Sequence, residues 1–336
     1  MATNVTAQFT DTTGSDATQS FFNTELLVRA SYALIHQQPV KKYSLKLRSG
    51  KTMIFRRYDV LGLATTPLIE GQNPAGRLLT KVDLAATLQQ YGDFVESTDF
   101  VMDTQPDPVT TEAVSLLGQQ MGETFDQLYR DVYADATNIV YANGSATNQV
   151  TQIVDKDDLD RAYRLLRNNK AKPFTPMILA GQNVGTAPIM PAYWALVDED
   201  VAFDLRHLEG FVIPSEYAKQ TGVLMGEIGA DKNGIRFLAS PNGYVLAGAS
   251  GVTAAGTDVK NTGGFVDVYS IFIVGQDAVG GINLAQRNGG VIRKGLGSAG
   301  TADPLDMRAT VGWKKWDTRL ILNQNFLVEV QTCASL

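Results

Sequence analysis

A long run of helical spacing is the feature that most constrains this chain. Val114, Leu117, Met121, Phe125, Leu128, Val132, Ala136 and Ile139 follow one another at steps of three or four residues without a break, the spacing of one apolar helix face. Asp107-Pro108 stands just before the run, a capping carboxylate followed by a residue suited to the first helical position. Asn143-Gly144 stands where a helix would stop. The pattern predicts a helix over 108–142. At 1.5 Å per residue it would reach about 50 Å, about three times the length of an average helix. A fold that carries it must be elongated.

The 336 residues contain 44% hydrophobic side chains, enough to bury one large, elaborated core or two medium ones. The net charge of −6 argues against a dedicated reader of nucleic acid, because affinity for phosphates comes from clustered Lys and Arg. No stretch approaches the ~18 uninterrupted apolar residues of a membrane span. Residues 1–16 are polar and unlike a signal peptide, so the chain is expected to stay in the cytoplasm where it is made. Cys333 is the sole cysteine, which excludes an intrachain disulfide and a cysteine-rich zinc site.

Around the long helix the pattern changes. Residues 1–40 are polar, weakly helical over 21–35, and read as an arm that needs a surface to lie on. Tyr43, Leu45 and Leu47 alternate with polar residues, and Met53 and Phe55 resume the alternation after Ser49-Gly50, as strands do. A Gly/Pro/Thr-rich connection over 62–76 leads to a second alternating run at Val82, Leu84, Ala86 and Leu88. Together they predict an extended, open hairpin too long to bury both faces against its own chain. A second helix is predicted over 157–168, with Leu159, Ala162, Tyr163 and Leu166 on its apolar face and Arg164 and Arg167 near its end. Residues 173–191 and 222–243 mix short apolar runs with turns. Residues 269–274 form a short strand suited to a sheet covered on both faces. Phe326, Val328 and Val330 follow residues 320–322 across Asn323-Gln324-Asn325 and suggest a closing hairpin. No internal repeat is present.

Motifs that could carry chemistry fail on context. Gly295-Leu296-Gly297-Ser298-Ala299-Gly300 fits GxGxxG, but Thr301-Ala302-Asp303-Pro304 follows where a helix should begin. In Gly71-Gln72-Asn73-Pro74-Ala75-Gly76-Arg77-Leu78, Arg77 replaces the phosphate-binding lysine and Leu78 the magnesium-binding hydroxyl. His36 and His207 belong to no zinc pattern and read as surface or packing residues. Asp155, Asp157, Asp158 and Asp160 lack the calcium-loop spacing, so helix capping accounts for them better. Asp198, Glu199, Asp200 and Asp204 could supply acid and base groups, although a solvated helical face is the simpler reading. There is no GxSxG elbow. No catalytic, cofactor-binding or metal-binding residue is assigned, and no cofactor is expected.

One charge feature stands out. Lys41, Lys42, Lys46, Arg48, Lys51, Arg56 and Arg57 make seven cations with no acid between Lys41 and Tyr58. They are either a solvated strand edge, where cations discourage unwanted pairing, or a basic surface that docks on acids of an identical neighbour. Contact with DNA is a weaker third reading.

Several blocks, in order along nearly the whole chain, resemble the major capsid protein family of phage N4-like viruses. They are Phe55-Arg56-Arg57-Tyr58; Ala64-Thr65-Thr66-Pro67-Leu68 with Glu70-Gly71; Gln90-Tyr91-Gly92-Asp93-Phe94-Val95; Gly226-Glu227-Ile228-Gly229 with Arg236-Phe237; and Asp303-Pro304-Leu305 with Thr310-Val311-Gly312-Trp313-Lys314. Residues 243–264 match least. The resemblance implies an α+β, HK97-like major capsid protein fold. It would have an N-terminal arm over 1–40, an extended loop over 41–101, and a peripheral domain over 102–172 with its spine helix at 108–142. An axial domain over 173–284 would follow, with a return to the peripheral domain over 285–336. It also implies a homo-oligomer of hexamers and pentamers that closes as an icosahedral shell around double-stranded DNA, without sequence-specific binding and without a membrane. Portal, scaffolding and decoration proteins would be partners, and the product would be a virion capsid assembled in the cytoplasm of a bacterial host.

Lys46, Arg48, Lys51, Arg56, Arg57, Glu70 and Arg77 are the candidate inter-subunit contacts. An encapsulin-like cargo shell and an acid-dependent hydrolase or small-molecule-binding protein using Asp198 to Asp204 are the rival readings. No cleaved N-terminal piece is expected. Some relatives of this fold join subunits covalently through a lysine of the extended loop, and residues 61–80 contain none. No such cross-link is therefore expected, so boiled particles in detergent should run as a single monomer band, against a ladder of multimers if the expectation is wrong.

Overall fold

The computed structural model describes residues 35–58, 61–73, 76–104, 109–174, 191–217, 223–254, 258–285, 289–300 and 303–336. Nearly all of the predicted arm and its helix, the Asp107-Pro108 cap, and most of 173–191 lie outside these residues. No described helix is long and apolar enough to cross a membrane.

Two sheets share one helix. The smaller sheet is centred on β16 (Arg308–Ile321), the longest strand. Strand β4 (Gln89–Thr98) runs antiparallel along one edge of β16. The other edge is shared end to end by β15 (Gly290–Lys294) and β14 (Val279–Leu284). Strand β1 (Lys41–Leu45) adds parallel to β14. Close approach of β4 and β16 requires glycine: a Cβ on Gly312 would lie 2.6 Å from the Phe94 Cβ.

The larger sheet has the order β5 (Ile139–Tyr141), β17 (Leu327–Thr332), β13 (Val268–Val274), β6 (Tyr193–Asp198), β9 (Ile235–Ser240), β8 (Glu227–Asp231), β7 (Phe211–Val212), with β10 (Tyr244–Leu246) also on β13, and β11 (Asn261–Thr262) pairs separately with β12 (Phe265–Val266). As its unbroken apolar run predicts, β13 is buried throughout. Its alternate residues face opposite ways. Ile271 and Ile273 pack with Leu159, Ala162 and Leu166 of one helix and Val201, Ala202 and Leu205 of another, whereas Phe272 and Val274 pack with Tyr129 and Tyr133 of the long helix.

The short helix α1 (Asp99–Thr104) leads to the long α2 (Val109–Tyr133); α3 (Lys156–Asn168) and α4 (Glu199–Arg206) cover the larger sheet. Over its first half α2 lays Val114, Leu117, Met121 and Phe125 on Val291, Val311 and Trp313 of the small sheet. The Phe125 ring meets Tyr91 and Trp313 edge-on, with centroids 5.9 Å apart in each case.

Helix α2 stops at Tyr133, nine residues short of the predicted end at 142. Ala136 N–H bonds the Tyr133 carbonyl in a closing turn, the Asn138 side chain donates to the Gln324 and Leu327 carbonyls, and Ile139 to Tyr141 join β17 in parallel. β-branched Ile139 and Val140 suit that strand, and the sheet supplies backbone partners that a further helical turn would forgo. The helix is therefore about 37 Å long.

The closing hairpin is also not formed. Ile321 pairs with Val279 in the small sheet, whereas Leu327 pairs with Val274 in the large one. The chain crosses between the sheets twice, side by side, and backbone bonds from Gly275 to Phe326 and from Leu322 to Ala278 tie the two crossings together. Residues 285–336 are thus divided between both sheets. Phe125 is 1% exposed. Phe125→Ala should cost about 3–5 kcal/mol, measured by urea unfolding of the unassembled chain.

Candidate inter-subunit surface

The alternation of Met53 and Phe55 with Val82, Leu84 and Ala86 becomes an antiparallel hairpin of β2 (Thr52–Tyr58) and β3 (Lys81–Thr87), in register from Thr52 and Thr87 to Tyr58 and Lys81. Among the described residues its apolar anchoring is at the base. Met53, Phe55 and Leu88 pack with Leu45, Ala86 and Ile282, and Phe55 meets Tyr43 edge-on at 4.8 Å. Strand β1 does not pair with β2, because it is drawn into the small sheet beside β14. The turn between them holds Arg48 and Gly50 in left-handed conformations, at φ 63° and 94°.

Beyond the base every described residue of 61–79 is exposed. Leu63, Leu68 and Leu78 are 84%, 78% and 92% exposed, far from the usual state of large aliphatic side chains. The two arms of this tip are stapled by Arg77, whose guanidinium donates to the Gly62 carbonyl and, at 3.1 Å, to the Leu63 carbonyl. Glu70 lies exposed in a turn closed by the Gln72 N–H on the Ile69 carbonyl.

The seven sequence cations do not form one patch. Lys41 pairs with Asp277 at 2.8 Å. Lys42 lies near the Tyr129 end of α2. Lys46, Arg48 and Lys51 are exposed in the β1–β2 turn. Arg56 makes a two-pronged bond to its cross-strand partner Asp83, at 2.7 and 3.2 Å, and this bond holds the Asp83 carboxyl below its ordinary range. Arg57, on the next position, donates to the Leu322 carbonyl at 3.4 Å. The alternation of a strand therefore splits Arg56 from Arg57.

The other candidates resolve into structural parts. Asp155 caps α3 in a capping box with Asp158, as expected. Asp198 caps α4, and burial raises its carboxyl. Asp200 pairs with Lys260 at 2.6 Å and accepts from the Tyr269 hydroxyl at 3.0 Å, and Asp204 accepts from the Ser335 N–H and hydroxyl. This acidic segment therefore ties down the sheet and the chain end instead of forming a merely solvated face. Residues 295–299 form a loop, with Gly297 left-handed at φ 82°. His207 is exposed at the C-terminal cap of α4, and burial pushes the Cys333 thiol up to about 12.

For His36, expected as a surface or packing residue, sequence reasoning missed the partner. His36 is buried against Asp126 of α2, with Nδ1 2.8 Å and its backbone N–H 2.9 Å from the two carboxylate oxygens. Ninety residues separate the pair, and no local pattern links them. The block carrying Glu227 and Arg236 also gains a reason: the two side chains form a buried pair across β8 and β9, 2.7 Å from Nε to Oε1. Among the described residues no group of three or more His, Cys, Asp and Glu side chains is placed to hold a metal ion.

A family model described as phage capsid protein matches residues 81–305, two thirds of the chain. The chain belongs to the phage capsid protein family. Solved capsids share its fold. The capsid of cyanophage Pam1 matches with a TM-score of 0.61 at 14% identity over 90% of this chain and 93% of that one. That of Ralstonia phage GP4 gives 0.60 at 10% identity over 89% and 88%. That of cyanophage P-SCSP1u gives 0.56 at 13% identity over 90% and 89%. Comparison with curated proteins returned no match. At such identities the likeness is one of fold, and the fold is the HK97-like α+β capsid fold. This capsid protein is thus structural in kind.

In the capsid protein's hairpin, Arg56→Asp should fray β2 from β3 and the swap Arg56→Asp with Asp83→Arg should restore it. Hydrogen exchange over residues 52–87 would register the difference.

Proposed function

We propose that this capsid protein builds the head of a tailed, N4-like bacteriophage, its copies assembling as hexamers and pentamers that close into an icosahedral shell around double-stranded DNA. The observation that carries the proposal is the bare apolar tip of the β2–β3 hairpin. Leu63, Leu68, Ile69 and Leu78 are exposed together on one stapled projection. Burying each on a neighbour would contribute roughly 1.5–3 kcal/mol before ordering costs. Such a contact repeated around closed rings gains strength by multivalency.

In this reading the hairpin belongs to the extended loop of 41–101, α2 is the spine, the small sheet is the peripheral domain, and the large sheet is the axial domain. The hairpin would reach an identical neighbour, with Lys46, Arg48, Lys51, Arg57 and Glu70 as the charged contacts that set register. Arg56 and Arg77 would act within the hairpin, keeping it presentable. A net charge of −6 suits a container that encloses DNA without gripping it. Portal, scaffolding and decoration proteins would complete the head in the bacterial cytoplasm.

Electron microscopy of the expressed full chain should reveal closed particles, and nuclease-protected DNA in virions would separate this reading from a cargo shell. The triple variant Leu63→Ser, Leu68→Ser, Leu78→Ser should keep its circular dichroism and melting temperature yet lose particles by more than about tenfold. Undiminished particles from that variant would sink the docking role of the tip.

A further inference from the structure

Under the first half of α2 the small sheet is apolar; under Tyr129 it is charged. Lys315, Asp317 and Arg319 alternate along β16 and share a face. Asn283 lies opposite Asp317 on β14, and Lys42 lies opposite Gly281 across β1 and β14. A side chain at Gly281 would collide with the Tyr129 hydroxyl, so glycine there lets helix and sheet close over the layer. Gln37, Lys42, Tyr129, Asn283, Lys315 and Asp317 wall a cavity of about 130 Å³.

The charges in this layer do not balance. Among the described residues Lys42, Lys315 and Arg319 face one acid, Asp317, whose carboxylate already accepts from Tyr129 at 3.2 Å and Arg319 at 3.4 Å. Arg319 is further held by the Tyr91 hydroxyl at 3.0 Å and lies over the Tyr91 and Tyr129 rings. Lys315 is 8% exposed. Its ammonium lies 4.1 Å from the Phe125 ring centroid and has neither a hydrogen-bond acceptor nor an ion-pair partner among the described residues. Burial lowers its pKa, and Lys42 and Arg319 add to that against the pull of Asp317. A buried cation in such surroundings calls for an anion.

We propose that this cavity binds a small oxyanion of the phosphate class, held between the Lys315 and Lys42 ammonium groups with Gln37 and Asn283 as the polar wall. Among the described residues of the wall the cationic donors are nitrogen and the one acid is engaged, which suits an oxyanion and not a metal ion. A volume of about 130 Å³ admits a tetrahedral anion with a few waters, at roughly 30 Å³ each, and not a nucleoside. The phosphate could be free or part of a DNA backbone, and competition separates the two.

The test is calorimetric titration of the full-length chain with inorganic phosphate at constant ionic strength, paired with thermal melts in phosphate against chloride. Wild type should bind saturably at one phosphate per chain and melt higher in phosphate by roughly 2–4 °C. Lys315→Met, which keeps the length of the buried stem, should weaken binding by more than about tenfold and abolish the melting shift. Should that variant fail to fold, Lys42→Gln, at an exposed position, should still weaken binding by more than about threefold. Displacement of phosphate by a short DNA duplex would assign the site to backbone phosphate, and no displacement to the free anion. Absence of saturable phosphate binding to wild type, or unchanged binding by the folded variants, would overturn the site.

Discussion

The packing of α2 against two sheets at once is the interaction on which the rest of the architecture depends. Its apolar stripe runs from Val114 to Tyr133, and successive turns of that stripe meet different partners: Trp313 and Val311 first, then Phe272, Val274 and Leu327. Neither sheet could hold its position relative to the other through loops alone, because loop closure is entropically weak. The helix acts as a beam, and the paired crossings from β13 to β14 and from β16 to β17 bind the sheets a second time along a different line.

With the body braced in this way, the hairpin can project from it without collapsing. Its base borrows Leu45, Ile282 and Leu320 from the small sheet, and its own rigidity comes from polar staples, Arg56 on Asp83 near the base and Arg77 across the tip. Exposed ion pairs contribute little to overall stability. Here their effect is geometric, since they hold two arms together where no core can. The large leucines on the tip are left for a partner surface, the opposite of what a self-contained globular domain would do with them.

Buried charge follows a related logic in the body. The Arg236–Glu227 ion pair and the hydrogen-bonded His36 and Asp126 are sealed from solvent, and desolvation offsets much of the ion pair's attraction. They pin particular elements: His36 places the chain entering the fold on α2, and Glu227 with Arg236 and the Tyr217 hydroxyl locks β8 to β9. Among the described residues the pairing beneath Tyr129 is incomplete, and Lys315 stands apart from the satisfied networks around it.

How much of this was legible in the residues depended on range. The existence and face of α2, the doubly covered β13, the alternating hairpin, the capping role of Asp155 and the α+β, HK97-like class all rest on short-range periodicity or on ordered blocks, and the chain carries that information locally. The end of α2, the division of the last fifty residues between two sheets, and the partners of His36 and Asp83 do not. Ala136 and Ile139 continue a helical spacing that the backbone abandons, because the edge of β17 offers hydrogen bonds that a local pattern cannot anticipate. The basic run from Lys41 to Arg57 was visible as a count, but strand alternation and the capture of β1 by β14 decided that its members face different ways. Sequence alone determined the body of α2, α3, β13 and the alternating arms of the projecting hairpin; tertiary structure decided where α2 ends and which segments meet, since pairing between segments distant in the chain is set by the global packing of the sheets.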